Sequence, residues 1–394
     1  MKKVALYDPY LDTLGGGEKH LLSILKALED EGFEINIFWN KNLQNQIENR
    51  FRLQYINKLK FLPNFFTPTS HFEEAKRPRN LAKGRLTSPK RFYAPFGRWI
   101  SHFVRNDNVL KILKNFDIFF YVTDGSYFFS SAKKNFVFCM VPNINLYQRS
   151  LFNKLKTANF RFISNSYYTQ SWLKKWGIES EVIYPYLNHD FIDIDLKDLI
   201  KENIILSVGR FYNQLHSKKQ SILIDLFNKL KQVNHKFKNF RLIIAGGLKQ
   251  EDKAYFYKLK STIESNSGVI LKTNVTYTEL LNLYRKSLIY VHMTGFGVDE
   301  NKNPEQVEHL GIAPLEAMAS GCLTFCYNAG GLKEIVSDGS TGFLFNSQEE
   351  LMAKLSSILS NTTLQTQIKR RAKQFVLDNF SYKVFKKRVK EIIL

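Results

Sequence analysis

Two carboxylates eight residues apart give the strongest chemical signal in the chain. The segment runs Glu308-His309-Leu-Gly311-Ile312-Ala-Pro314-Leu315-Glu316-Ala-Met-Ala-Ser-Gly321, with a glycine turn between the acids and an apolar helix pattern after it. On one shared helix the two acids would stand about 12 Å apart along the axis. That is wider than the roughly 5–9.5 Å between the acid and base of a glycosidase, so hydrolysis is disfavoured. An extended ligand fits better, with a sugar near Glu308 and a ribose near Glu316.

Two cations form the second signal. Arg210 follows Ser207-Val-Gly209 at the end of a predicted strand, and Lys218-Lys219 open a predicted helix after a short polar loop. Cations converging at a strand end can hold a diphosphate and stabilise it as it leaves. Each taken singly also reads as a solvated surface charge. A third signal is Gly15-Gly16-Gly17-Glu18, where the first strand passes into a helix and backbone amides can approach a phosphate or sugar. A dinucleotide fingerprint would need a glycine where His20 stands and a carboxylate where Trp39-Asn40 stand, so NAD binding is disfavoured. The plain alternative is a glycine turn that only joins strand to helix.

These residues need strands that end where they begin. Val4–Tyr7 and Glu34–Trp39 read as strands around a helical pattern at His20–Glu29, a βαβ opening. Apolar runs at Asp117–Val122, Asn135–Val141, Arg161–Ile163 and Glu181–Tyr184 continue it as strands buried on both faces. After an acidic interruption at Asp190–Asp198 the pattern restarts at Asn203–Gly209. It goes on through Arg241–Ala245, Val269–Lys272, Leu288–Met293 and Leu323–Tyr327. The expected fold class is α/β, two Rossmann-like doubly wound domains facing a cleft. The expected organisation is a first domain at 1–186, a linker at 187–201, a second domain at 202–365 and terminal helices at 366–394 that pack back toward the first domain.

Composition narrows the partners. Of 394 residues, 44% are hydrophobic and 24% charged, as in globular proteins. Three cysteines, Cys139, Cys322 and Cys326, show no zinc or disulfide spacing, which fits a reducing compartment. The opening Met1-Lys-Lys-Val-Ala-Leu-Tyr-Asp8 lacks the apolar centre of a signal peptide, and no run of about 18 apolar residues occurs, so the expected location is cytoplasmic, or peripheral on the inner face of a membrane. The net charge is +21, and eleven Lys or Arg against Asp107 alone lie between Lys76 and Lys114. Such a field attracts nucleic acid, anionic lipid or phosphorylated substrates. No zinc-finger or RRM-like motif accompanies it, so nucleic acid is not expected. Phe96, Trp99, Ile100, Phe103 and Val104 recur at helical spacing beside the block Lys76–Arg91, as in a helix lying on an anionic membrane; the same stripe would also serve as core.

Taken in order, Gly15-Gly16-Gly17-Glu18, Asp124-Gly-Ser126, Asn165-Ser166 with Tyr184-Pro185, Val208-Gly-Arg210 with Lys218, and Glu308-x7-Glu316 resemble the retaining family-4 glycosyltransferases of GT-B fold. Glu-His-x-Gly, the Gly295–Pro304 loop and Asn328-Ala-Gly-Gly331 look most like a bacterial surface-polysaccharide branch, itself similar to lipid-linked-oligosaccharide mannosyltransferases. The resemblance implies that Arg210 and Lys218, or Lys219 in the neighbouring register, hold the donor diphosphate. It implies that Gly15, Gly16 and Gly17 approach the donor from the first domain and that Glu308 meets the transferred sugar. Glu316 would bind the ribose, with His309 and the amides at Gly311 and Ile312 at the sugar or phosphate. Many members carry a histidine near the end of the strand Phe136–Pro142; this chain does not, and no catalytic base is assigned.

The expected function is transfer from a nucleotide-diphosphate sugar to a glycan or lipid-linked acceptor, in surface-polysaccharide synthesis. No metal or cofactor is expected beyond the donor itself. A nucleotide-sugar epimerase of the same fold is the alternative.

Overall fold

The computed structural model describes residues 1–66, 108–213, 217–263 and 268–394. Phe96–Arg105 and the basic block Lys76–Arg91 lie outside the described residues. The chain divides into two compact units. One takes Met1–Asn165, Thr169–Ile183 and Arg388–Leu394; the other takes Ser166–Tyr168 and Tyr184–Lys387.

The first unit is built on β1 (Lys3–Tyr7), β2 (Glu34–Phe38), β3 (Lys60–Leu62), β4 (Ile118–Tyr121), β5 (Lys134–Cys139), β6 (Phe160–Ser164) and β7 (Ser180–Val182). They pair in parallel in the order β3-β2-β1-β4-β5-β6-β7. Chain order reverses direction between β1 and β4, so the sheet has its switch point there, where ligands of open α/β sheets bind. The Gly16–Glu29 helix leaves the end of β1 at that point. Its apolar face buries Leu21, Leu22, Ile24, Leu25 and Leu28, the helical spacing that the sequence shows.

The second unit is built on β8 (Glu202–Val208), β9 (Arg241–Gly246), β10 (Val269–Thr273), β11 (Ser287–His292), β12 (Leu323–Tyr327) and β13 (Phe343–Phe345), parallel in the order β10-β9-β8-β11-β12-β13. Here the switch falls between β8 and β11. Ile205, Leu242, Ile244, Ile289 and Val291 enter one hydrophobic core, while Ile204, Leu206, Ile243, Ala245 and Tyr290 enter another. Alternate residues of each strand thus face opposite cores, which is why these strands read as continuous apolar runs.

The structure adds to or shifts several expectations. β3 and β13, three residues each, have no counterpart among the strands expected from sequence. Residues 187–201, expected as a linker, place Leu187, Phe191 and Ile194 in the second unit's core. The terminal helices are Thr362–Phe380 and Tyr382–Ile393. The last residues join the first unit, where Lys134 Nζ donates to the Ile393 carbonyl at 3.1 Å and Lys390 pairs with Glu31 at 2.9 Å. All three cysteines are buried free thiols. No helix among the described residues is long and apolar enough to cross a membrane.

Two lysines, Lys373 buried and Lys201 half-buried, fix one helix of the second unit by its carboxyl end. Lys373 donates to the carbonyls of Phe191, Ile192 and Ala319 at 2.7–3.1 Å, and Lys201 to those of Tyr284 and Ser320 at 3.1 and 2.6 Å. Ala319 and Ser320 close the Ile312–Ala319 helix, so both ammoniums sit at its negative pole. Burial pushes Lys373 down to about 8.

The ends of β8 and β9 touch so closely that one glycine has a steric reason. A Cβ on Gly246 would lie 1.9 Å from the Gly209 carbonyl oxygen, whereas one on Gly247 would meet nothing within 4 Å. Gly246→Ala is expected to destabilise the second unit by about 2 kcal/mol, as overpacking against backbone does. Gly247→Ala should leave the unfolding midpoint nearly unchanged; equal midpoints in calorimetry for the two variants would refute the contact.

Candidate active site at the switch point of the second sheet

Arg210 follows β8 and His292 ends β11, so both stand at the carboxyl ends of the two strands that flank the switch. From there a connected polar cluster extends to Glu308. Lys218 Nζ donates to Glu308 Oε2 at 2.7 Å, and His292 Nε2 lies 2.9 Å from the same oxygen. Glu308 Oε1 makes no hydrogen bond among the described residues. On the far side of the imidazole, the Tyr290 hydroxyl lies 3.1 Å from His292 Nδ1.

Protonation in this cluster follows from burial and charge. Burial alone would raise the Glu308 carboxyl, but the Lys218 ammonium and the His292 hydrogen bond outweigh it and hold the group well below its usual range. His292 is pushed down by burial, and the Lys218 charge adds to that effect; the bond to Glu308 opposes both. The imidazole is therefore neutral, with its proton on Nε2 toward the carboxylate and Nδ1 accepting from Tyr290 O–H.

Glycines supply the space that this arrangement needs. Lys218 reaches Glu308 by crossing Gly209, where a Cβ would stand 2.5 Å from Lys218 Cγ. The Gly330-Gly331 turn lies against the Glu308-His309 backbone: a Cβ on either glycine would be 2.1 Å from the carbonyl oxygen of Glu308 or His309 respectively. Gly331 N–H donates to the Glu308 carbonyl at 2.8 Å. Glu300 receives Gly330 N–H at 2.7 Å and Lys333 Nζ at 2.6 Å, anchoring the turn.

The structure departs from the sequence reading in how the acids and cations are placed. Glu308 and Glu316 do not share a helix. The helix is Ile312–Ala319 and contains only Glu316; Gly311 caps it with φ +106°, a left-handed conformation that turns the chain between the two acids. The 12 Å axial spacing therefore does not apply. Lys218 also precedes its helix, which begins at Gln220 after Lys219 in a left-handed conformation. Arg210 and Lys218 are held by different acids: Arg210 Nε and Nη2 donate to Asp252 Oδ2 at 2.9 and 2.6 Å, and the guanidinium lies over the Tyr212 ring at 4.9 Å. His309 turns its Nε2 to the Glu305 carbonyl at 3.3 Å. Glu316 sits beside Tyr284, whose hydroxyl it helps push up, after burial.

Gly15, Gly16 and Gly17 belong to the first unit, at its own switch point. Gly15 N–H donates to Glu18 Oε2 at 2.6 Å, and a Cβ on Gly17 would lie 1.9 Å from Met140 Sδ, so the turn is also a packing contact. Asp8, at the end of β1, is pushed up to about 7 by burial and by the Glu18 charge. Among the described residues no group of three His, Cys, Asp or Glu could hold a metal ion.

His292, Tyr290 and Asp252 were not singled out in the sequence. A signal existed for the first two, since Tyr290 and His292 are polar groups two apart on one face of an otherwise apolar strand. Asp252 lies 42 residues from its partner and carried none.

Two parallel α/β sheets, each with polar residues at its switch point, make this a GT-B glycosyltransferase fold. Residues 192–375, the greater part of the second unit, match the family of glycosyl transferases group 1. A relative across most of the chain is the GDP-Man:Man(3)GlcNAc(2)-PP-Dol alpha-1,2-mannosyltransferase of Homo sapiens, 24% identical over 91% of this chain and 79% of its own length. The Mus musculus protein of the same description is 28% identical over 48% of this chain, and the match spans 38% of that relative. Among solved structures, a glycosyltransferase from Rickettsia africae superposes with a TM-score of 0.67 at 16% identity, covering 100% of this chain and 97% of the other. Anabaena HepE, in complex with UDP and glucose, superposes at 0.61 and 16%, covering 99% and 98%. The epimerase alternative finds no support in these relatives.

Because the folded Glu308 carboxyl lies below its ordinary value of 4.5, its contribution to stability is complete above that pH and is lost as pH falls below it. The stability of the wild type relative to Glu308→Gln should therefore shrink on acidification below pH 4.5, read by denaturant unfolding at a series of pH values. A gap independent of pH would remove the ion pair. Lys218→Met alone should cost about 2 kcal/mol, less than a fully buried pair because both side chains keep some solvent contact, and adding Glu308→Gln should restore most of it.

Proposed function

We propose that the chain is a retaining glycosyltransferase that moves a sugar from a nucleotide-diphosphate donor to a hydroxyl of a glycan or lipid-linked acceptor. The observation that carries this reading is the Lys218–Glu308–His292 cluster at the switch point of a sheet lying within the segment that matches the group 1 family. The mannosyltransferase relatives support a glycan carried on a lipid diphosphate as acceptor. Such an acceptor would be met at the cytoplasmic face of a membrane.

In this mechanism the donor's C1–O bond breaks and its electron pair leaves on the diphosphate. Lys218 has two ammonium protons beyond the one given to Glu308, and Arg210 keeps its Nη1 group beyond Asp252, so both can meet the departing charge while remaining fixed. Amides at Gly311 and Ile312, at the positive pole of their helix, would add to this field. Glu308, whose Oε2 is held, would offer Oε1 to the transferred sugar and stabilise its oxocarbenium character. The acceptor oxygen bonds to C1 on the face from which the diphosphate leaves, and its proton passes to a phosphate oxygen. Glu316 would take the ribose. No protein base is required, and neutral His292 serves to hold Glu308.

Glu308→Gln is expected to leave donor binding largely intact and lower turnover by at least the ~10²-fold typical of a lost transition-state contact. Near-normal turnover on the nucleotide sugar that the wild type uses would end the assignment of Glu308. Arg210→Ala and Lys218→Ala should weaken binding of the nucleoside diphosphate more than of the nucleoside, by calorimetric titration of both. If Lys219→Ala has this effect and Lys218→Ala does not, the diphosphate contact moves by one residue. NMR of the fresh product tests retention, since an inverted anomeric centre would refute it.

A further inference from the structure

A second surface, in the first unit, carries chemistry that the transfer reaction does not use. The helix Leu151–Lys156 leaves Leu151 86%, Phe152 59% and Leu155 61% exposed. At 100° per residue these three fall within one 100° arc, and Lys154 and Lys156 stand on either side of it. Lys156 Nζ lies 4.6 Å from the Phe152 ring centroid, so cation and apolar face are in contact. Ile144, in the turn just before, is 55% exposed.

The segment that carries this face has charge of a single sign. From Gly125 to Ile178 there are eight Lys or Arg and no Asp or Glu. Beyond the flanking Lys154 and Lys156, the exposed Lys174 and Lys175 follow in the chain, the last 3.8 Å from the Trp172 ring; Arg149 instead turns inward, its Nη1 donating to Thr157 Oγ1 at 3.2 Å. An apolar arc bounded by cations matches the boundary between acyl chains and anionic headgroups: leucine and phenylalanine side chains enter the apolar side while ammonium groups stay with the phosphates. A protein partner would have to match both the apolar arc and an unrelieved positive rim, whereas an anionic bilayer supplies both at once.

We propose that Leu151, Phe152 and Leu155, with the cations Lys154 and Lys156 on either side of them, dock the first unit on an anionic lipid bilayer. This surface is independent of the donor site in the second unit. It differs from the stripe Phe96–Val104, which lies outside the described residues.

Flotation of the full chain with phosphatidylcholine vesicles, with and without phosphatidylglycerol, tests it. The wild type should float with the anionic vesicles and progressively less as salt shortens the Debye length. The triple variant L151S/F152S/L155S should lose at least about tenfold in partition, as removal of an interfacial apolar face requires. Lys154→Glu should weaken anionic binding and flatten its salt dependence. The three serines replace exposed groups, so the thermal midpoint and the nucleoside-diphosphate affinity should match the wild type, which separates this test from the donor-site assignment. Flotation of the triple variant equal to wild type, equal wild-type binding to neutral and anionic vesicles, or no binding to either would overturn the proposal.

Discussion

The second unit's site depends on one carboxylate oxygen that accepts two hydrogen bonds. Glu308 Oε2 is shared by Lys218 and His292, which arrive from the segments after β8 and at the end of β11. Neither donor can move without uncovering a partly buried charge, and leaving such a charge unpaired is costly. The backbone carrying Glu308 is in turn pressed against Gly330 and Gly331 so closely that no side chain fits between. Lys218 runs across Gly209 for the same reason. These glycines are required by proximity, and the strand ends, the loop and the turn are thereby locked to one geometry.

That geometry explains what could be read in advance. The long strands were legible because both of their faces are buried and their residues are apolar throughout; Ile204 and Ile205 serve different cores. β3 and β13, three residues each at an edge of their sheets, were not read as strands. Glu308, Lys218 and Arg210 were legible as chemical types near strand ends. Their pairing was not, because an ion pair between residues 218 and 308 depends on the register of β8 beside β11. His292 was masked by the apolar strand that holds it. The turn at Gly311 was visible as a residue, but its left-handed φ, which separates Glu308 from the helix of Glu316, is decided by packing against Leu332 and Ile335.

The two glycine-bearing turns at the switch points differ in kind. In the first unit Gly17 packs on Met140 and Gly15 is held by Glu18, so the turn has a structural reason before any ligand is considered. In the second unit Gly209, Gly330 and Gly331 make room for the charged cluster of Lys218, Glu308 and His292. An ion pair retained at partial burial contributes little net stability relative to an apolar pair of the same shape. Under the proposed function the cluster has its use in meeting the donor.

The lysines at the end of the Ile312–Ala319 helix bear on how such a unit could be exchanged between proteins. Lys201 comes from just before β8 and Lys373 from the long helix after the last strand, yet they end on successive carbonyls at the close of that helix, Ser320 and Ala319. A chimeric chain cut after β13 would keep the whole sheet and lose Lys373. The carbonyls of Phe191, Ile192 and Ala319 would then be left without their donor in a buried place. The heritable module is thus longer than its sheet: a crossover that preserves it must fall before Lys201 and beyond Lys373, so that both lysines travel with the helix they hold.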